Sequence, residues 1–280
     1  MEQNDRILKP EDYLEPNCPL CEEPYGIVPD VRPIPQKRIV EKLEEYMSRR
    51  DYDAVEKHLL YWLEEAKLGR DERGELMLRN ELTGHYRKTG NKEKSLENAR
   101  RAIAMVEKLG MEGSITSGTT YVNAATAMNA FGENEQSVVY FEKAKEIYEK
   151  AEHKDSYLLG GLYNNMGLTL AALGRYAEAY ALFDKALDIM RQRPDGTLEE
   201  AVTYLNIANT VEFELGLEQG ESRINELLDK AYDLLNKPDL EHDGYYAFVC
   251  EKCAPAFSYY GYFLAAEDLK QRAEEIYAGH

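Results

Sequence analysis

Basic residues are in short supply in this 280-residue chain: 34 Lys and Arg face 52 Asp and Glu, a formal net charge of −18. Such a field repels phosphate backbones and anionic lipid, so neither nucleic acid nor a membrane surface is expected as a partner. Long apolar runs are missing as well. None approaches the ~18 residues a membrane span needs, and the opening MEQNDRILK lacks the apolar core of a secretory signal. A soluble, cytoplasmic protein with reduced thiols is therefore expected. Catalytic signatures are equally scarce. The histidines (His58, His85, His153, His242, His280) are scattered, and H-E-x-x-H, G-x-G-x-x-G and G-x-x-x-x-G-K are all absent. The many carboxylates suit a charged exterior, and no enzymatic activity is expected.

What the chain has in quantity is self-similarity. Gly90, Gly132 and Gly174 are each 42 residues apart, as are Asn123 and Asn165, Phe141 and Phe183, and Ala102, Ala144 and Ala186. A period of this size marks stacked supersecondary units, none of which can bury its apolar face alone. The clearest copy runs from Tyr163 to Met190, YNNMGLTLAALGRYAEAYALFDKALDIM. Tyr163, Met166, Leu170 and Leu173 fall on one helix face; Gly174 breaks the run; Ala179, Phe183 and Ala186 line a second helix. Small residues at Gly167, Ala179 and Ala186 allow close antiparallel approach.

These residues resemble the tetratricopeptide repeat, W-x2-L-G-x2-Y followed by A-x3-F and a helix-ending Pro. Tyr163, Met166, Gly167, Leu170, Ala179, Phe183 and Ala186 take those places, with Pro194 closing the unit. The preceding copy matches through Tyr121, Ala125, Gly132, Phe141 and Ala144, and the others more loosely. Extending the register gives about six units, with Leu43, Thr83, Ala125, Gly167, Ala208 and Ala254 equivalent on the first helices. Trp62, Ala102, Ala144, Ala186, Ala231 and Ala273 are equivalent on the second helices. The fifth unit carries four extra residues, expected between its helices near Gly216 to Gly220. A 42-residue period exceeds the usual ~34 and resembles the repeats of kinesin light chains and some bacterial peptide sensors. The resemblance implies an all-α, right-handed superhelical solenoid over residues 35–280, with the first helix of each pair lining a concave groove.

In that family, groove positions lie between the packing positions of the first helix. Here they are Val122, Asn123, Thr126 and Asn129; Asn164, Asn165 and Leu168; and Leu205, Asn206, Asn209, Glu212 and Phe213. Asn is a middling-to-poor residue for a helix interior because its amide competes for backbone hydrogen bonds, so a run of them opposes local propensity. An amide carries a donor and an acceptor, which matches an extended peptide backbone. The resemblance implies that Asn123, Asn165 and Asn206 form a ladder along such a peptide. The plainer reading is that these amides tie one helix to the next. The register holds Glu41, Glu81 and Lys252 in the outer units, so a ligand is expected over units three to five. The expected function is a protein- or peptide-binding adaptor or sensor; the alternative is a scaffold or oligomerisation protein using its convex face.

Residues 1–34 differ in kind. Pro16, Pro19, Pro24, Pro29 and Pro33, with Pro35 just beyond, exclude a helix or central strand. Tyr25, Ile27, Val28, Val31 and Ile34 are apolar enough to dock this extended leader, as a cap on the first unit or in the groove. The four cysteines form two C-x-x-C pairs, Cys18/Cys21 and Cys250/Cys253. Four thiolates suit a structural Zn²⁺ if the two ends of the chain meet, or if a homodimer shares the metal. Four ordinary reduced cysteines and a redox dithiol are the other readings. Pro255, just after the second pair, is expected to kink or interrupt its helix.

Overall fold

The computed structural model describes residues 31–151 and 156–279. Among them eleven helices follow one another: α1 (Gln36–Ser48), α2 (Tyr52–Leu68), α3 (Glu72–Lys88), α4 (Lys92–Lys108), α5 (Ile115–Ala130), α6 (Asn134–Lys150), α7 (Ser156–Ala172), α8 (Tyr176–Arg191), α9 (Thr197–Leu235), α10 (Gly244–Tyr259) and α11 (Phe263–Ala278). α9 is two helices joined at Gly216, where φ is 77° and ψ 168°, so the described residues form a solenoid of six helix pairs.

Small residues set the spacing within a pair. A Cβ on Gly167 would lie 2.6 Å from the Phe183 ring, so α7 and α8 pack at a distance only glycine permits. Ala144, Ala186, Ala231, Ala254 and Ala273 are buried at the matching contacts. First helices also pack directly on one another, α3 on α5, α5 on α7 and α7 on α9, while among the described residues α2 and α4, α4 and α6, and α6 and α8 show no comparable packing. The stack therefore curves with the first helices inside.

Five of the six pairs turn on the same closure. The residue after the left-handed position donates back to the first helix: Asn91 N to Tyr86 O (2.8 Å), Glu133 N to Met128 O (2.8 Å), Arg175 N to Leu170 O (2.9 Å), Tyr262 N to Phe257 O (2.8 Å) and Asp51 N to Tyr46 O (3.0 Å). This six-to-one bond needs positive φ at the residue before it. Gly90, Gly132, Gly174 and Gly261 supply it, but in the first pair the residue is Arg50, with φ 55°. Side-chain oxygens of Asp51, Asp71, Asn91, Ser114 and Asp243 cap the helices that follow them.

Tyrosines absorb part of the acidic surplus. Tyr86 donates to Glu56 (2.7 Å), Tyr163 to Glu149 (2.8 Å), Tyr180 to Glu214 (2.8 Å) and Tyr232 to Asp268 (2.9 Å), giving carboxylates partners where cations are few.

Two expectations are corrected. The four extra residues of the fifth unit do not form a loop: the chain is helical again directly after Gly216, and they lengthen the second arm of α9. Pro255 does not interrupt α10, which runs through it to Tyr259 with the proline on its exposed side. At the other end, Arg32 N donates to Gly69 O (2.8 Å) and Ile34 N to Asp71 Oδ2 (2.9 Å), and Ile34 is buried in the core of the first pair. The end of the leader is thus docked on the α2–α3 turn; the rest of it, 1–30, lies outside the described residues.

Candidate functional site on the concave face

The predicted groove residues stand on consecutive inner helices, and they divide into two sets. One set ties helices together. Asn129 Nδ2 donates to Thr169 Oγ1, and Asn206 Nδ2 donates to Asn164 Oδ1 at 2.8 Å. Asn80 Nδ2 makes the equivalent bond to Thr120 Oγ1 at 3.0 Å between α3 and α5. Thr126 is spent locally, its hydroxyl donating to Val122 O (2.8 Å). For Asn129, Asn164 and Asn206 the plainer reading therefore holds in large part, and the tie from Asn206 runs to Asn164 rather than to Asn165. Asn206 keeps its Oδ1 as a further acceptor.

The other set is uncommitted. Asn123, Asn165 and Asn209 are half-buried, and their side chains make no hydrogen bond among the described residues. Asn123 and Asn165 sit 42 residues apart, one on α5 and one on α7. A half-buried amide with no protein partner is a recognition element for a ligand that brings its own donors and acceptors.

Charged residues take the same register at the flanks. Burial raises the pKa of Glu81 on α3, and no neighbouring cation opposes that shift. Lys252 on α10 reaches solvent, yet the surrounding concave wall displaces enough water to lower its pKa, and the Arg87 charge adds to this. Desolvation likewise lowers the pKa of Arg87. Beside them, Tyr245 O–H donates to Glu199 Oε1 at 2.8 Å, which raises the tyrosine pKa together with its burial; Glu199 Oε2 is buried without a hydrogen-bond partner among the described residues.

Cys250 and Cys253 lie on the buried face of α10, both within the main hydrophobic core. Burial pushes the Cys250 thiol up and the Cys253 thiol to about 12. As they stand they fill packing positions; Cys18 and Cys21 lie outside the described residues. The ends of the solenoid do meet, through Arg50 of the α1–α2 turn and Glu251 of α10, 3.2 Å apart. Residue spacing does not reveal this contact. Its one sequence signal was an arginine, 40 residues before Gly90, in a turn position that the later repeats fill with glycine.

The family model for the tetratricopeptide repeat matches residues 158–218, the fourth pair and the start of the fifth. Over those residues the chain is similar to the tetratricopeptide repeat. No curated protein matches it. Among solved structures it is similar to a putative kinesin light chain of Podosopora anserina with nearly identical TPR-like repeats, at 17% identity over 73% of this chain and 95% of that one, with a TM-score of 0.47. It is also similar to BtubC (BKLC) of P. vanneervenii, at 16% identity over 88% and 92% of the two chains, again with a TM-score of 0.47. Tetratricopeptide repeats generally mediate protein–protein interaction, which supports a protein-binding repeat module. No described helix is long and apolar enough to cross a membrane.

Proposed function

We propose that the concave face holds an extended peptide over the third to fifth repeats, as an adaptor or peptide sensor would. The observation that carries this reading is the pair Asn123 and Asn165, in register on neighbouring helices with amides that nothing in the described protein uses. Asn209 and the spare Oδ1 of Asn206 extend the row. A hydrogen bond contributes only ~0.5–1.5 kcal/mol net, so backbone recognition fixes register while Val122, Leu168 and Phe213 supply apolar contact. The test is capture of the partner from the native host by wild type and by an Asn123→Ala, Asn165→Ala variant. Loss of capture with unchanged helical signal supports the groove; normal capture sinks it.

A second reading, scaffolding through an outer surface, is favoured by Phe263 and Leu264 at the α10–α11 turn, 68% and 90% exposed. A terminal repeat ordinarily needs a polar outer face. A partner lost on Phe263→Ser, Leu264→Ser and kept by the double asparagine variant would select that reading. Zinc stays a separate proposal, decided by elemental analysis of the full chain prepared without chelator.

A further inference from the structure

We propose that the first and sixth repeats form a reversible latch that closes the solenoid on itself, and that Arg50 is the residue that makes it. The first repeat builds the same six-to-one closure as its neighbours, but with an arginine in the left-handed region that Gly90, Gly132, Gly174 and Gly261 occupy elsewhere. An L-residue is disfavoured there relative to glycine, so the turn itself gains nothing from the substitution. What arginine adds is a side chain, and that side chain crosses to the far end of the chain. Its Nη2 is 3.2 Å from Glu251 Oε1, and its guanidinium lies over the Tyr277 ring at 4.3 Å from the centroid. Tyr277 O–H in turn donates to Glu251 Oε2 at 3.4 Å, so three side chains from α11, α10 and the α1–α2 turn form one cluster.

A second bridge lies beside it. Lys88, the last residue of α3, places its Nζ 5.1 Å from the Tyr52 ring centroid and 5.3 Å from that of Phe248 on α10. Both bridges join the first two repeats to the sixth, and both depend on cations. The apolar cores on the two sides remain separate: Ile39, Leu59, Leu63 and Leu82 belong to one cluster, and Val249, Phe257 and Leu269 to another. A seam held by exposed charges and aromatic faces, with no shared apolar core, opens without unfolding either side. When shut it encircles the inner helices; when open it exposes them along their length, and a long peptide can enter sideways rather than by threading.

Small-angle scattering of the full chain tests the latch. The wild type should be compact at low salt and expand near 1 M salt, where the Debye length falls to about 3 Å. Arg50→Glu should be expanded at low salt, and Arg50→Glu combined with Glu251→Arg should return to the compact form. Arg50→Gly, which the turn prefers, should expand the molecule while its melting temperature is held or raised. If Arg50→Glu loses helical circular dichroism, Arg50→Gly alone decides. Low-salt scattering of Arg50→Gly that superimposes on wild type, or a folded charge-swap pair that stays expanded, overturns the proposal.

Discussion

The middle repeats and the end repeats of this solenoid are built from different materials. The third to fifth place amides at the groove register and turn on glycine; the second and sixth place Glu81 and Lys252 there, and the first turns on an arginine. In the middle, the asparagines are neutral, and some (Asn129, Asn164, Asn206) bond to their neighbours along the stack while others (Asn123, Asn165, Asn209) do not. At the ends they are charged, and Arg50 and Lys88 reach across the stack rather than along it. The lesson is that one repeat geometry serves two purposes: neutral positions suit recognition of a backbone, and charged ones suit a contact that must let go.

The largest expected effect tests whether the middle also carries the stability. Phe183 is fully buried against Gly167, and Phe183→Ala should cost ~3–5 kcal/mol, because its repeat supports a neighbour on each side. Leu269→Ala, equally buried in the last helix, should cost ~2–4 kcal/mol and mainly loosen α10 and α11. Urea denaturation read with hydrogen exchange separates the two outcomes. A uniform loss of protection in both variants would mean that the ends and the middle unfold as one unit, and the division would fail.

The asparagines give a smaller and sharper contrast within the middle. Removing the Asn206 amide strips the donor from Asn164 Oδ1, on a residue that is itself buried, so Asn206→Ala should destabilise by ~1–3 kcal/mol. Asn165→Ala removes no hydrogen bond of its side chain and gains helix propensity, so its melting temperature should be unchanged or slightly raised. If Asn165→Ala proves the more destabilising of the two, Asn165 has a structural partner and the recognition role assigned to it is wrong.

Much of this was legible in the sequence, for physical reasons. Gly167 and Phe183, Ala144 and Ala186 recur because close helix packing tolerates only certain sizes at fixed positions, so spacing alone yields pairs, faces and register. The register of Gly216, 42 residues beyond Gly174, placed the bend of α9, and the expected loop failed only because the added residues extended a helix instead. Two things were not legible. Whether an asparagine is tied or free depends on which neighbour its amide reaches, as with Asn206 finding Asn164, and identical residue types in one row hide that difference. The meeting of Arg50 with Glu251 is the sum of small rotations between successive repeats, and no single residue encodes it.

The smallest effect concerns two carboxylates with opposite shifts. Burial raises the pKa of Glu81 above 4.5. The folded state therefore holds that proton more tightly than the unfolded chain. Stability from Glu81 is full below the unfolded pKa and is lost as pH rises through the folded one. Glu56 behaves in reverse, its pKa lowered below 4.5 by hydrogen bonds from Lys94 and Tyr86, so its contribution is present above the unfolded pKa and lost as pH falls through the folded one. At pH 7 Glu81→Gln should raise the melting temperature and Glu56→Gln should lower it, each by less than about 1 kcal/mol because both groups retain contact with water. Both differences should shrink in acid, once the wild-type carboxyls are protonated. Melting curves at several pH values read this directly. A groove carboxylate that destabilises the empty protein fits a position kept for a ligand rather than for folding. If Glu81→Gln instead lowers the melting temperature at pH 7, Glu81 is held by a partner within the protein, and the charged end of the groove is structural.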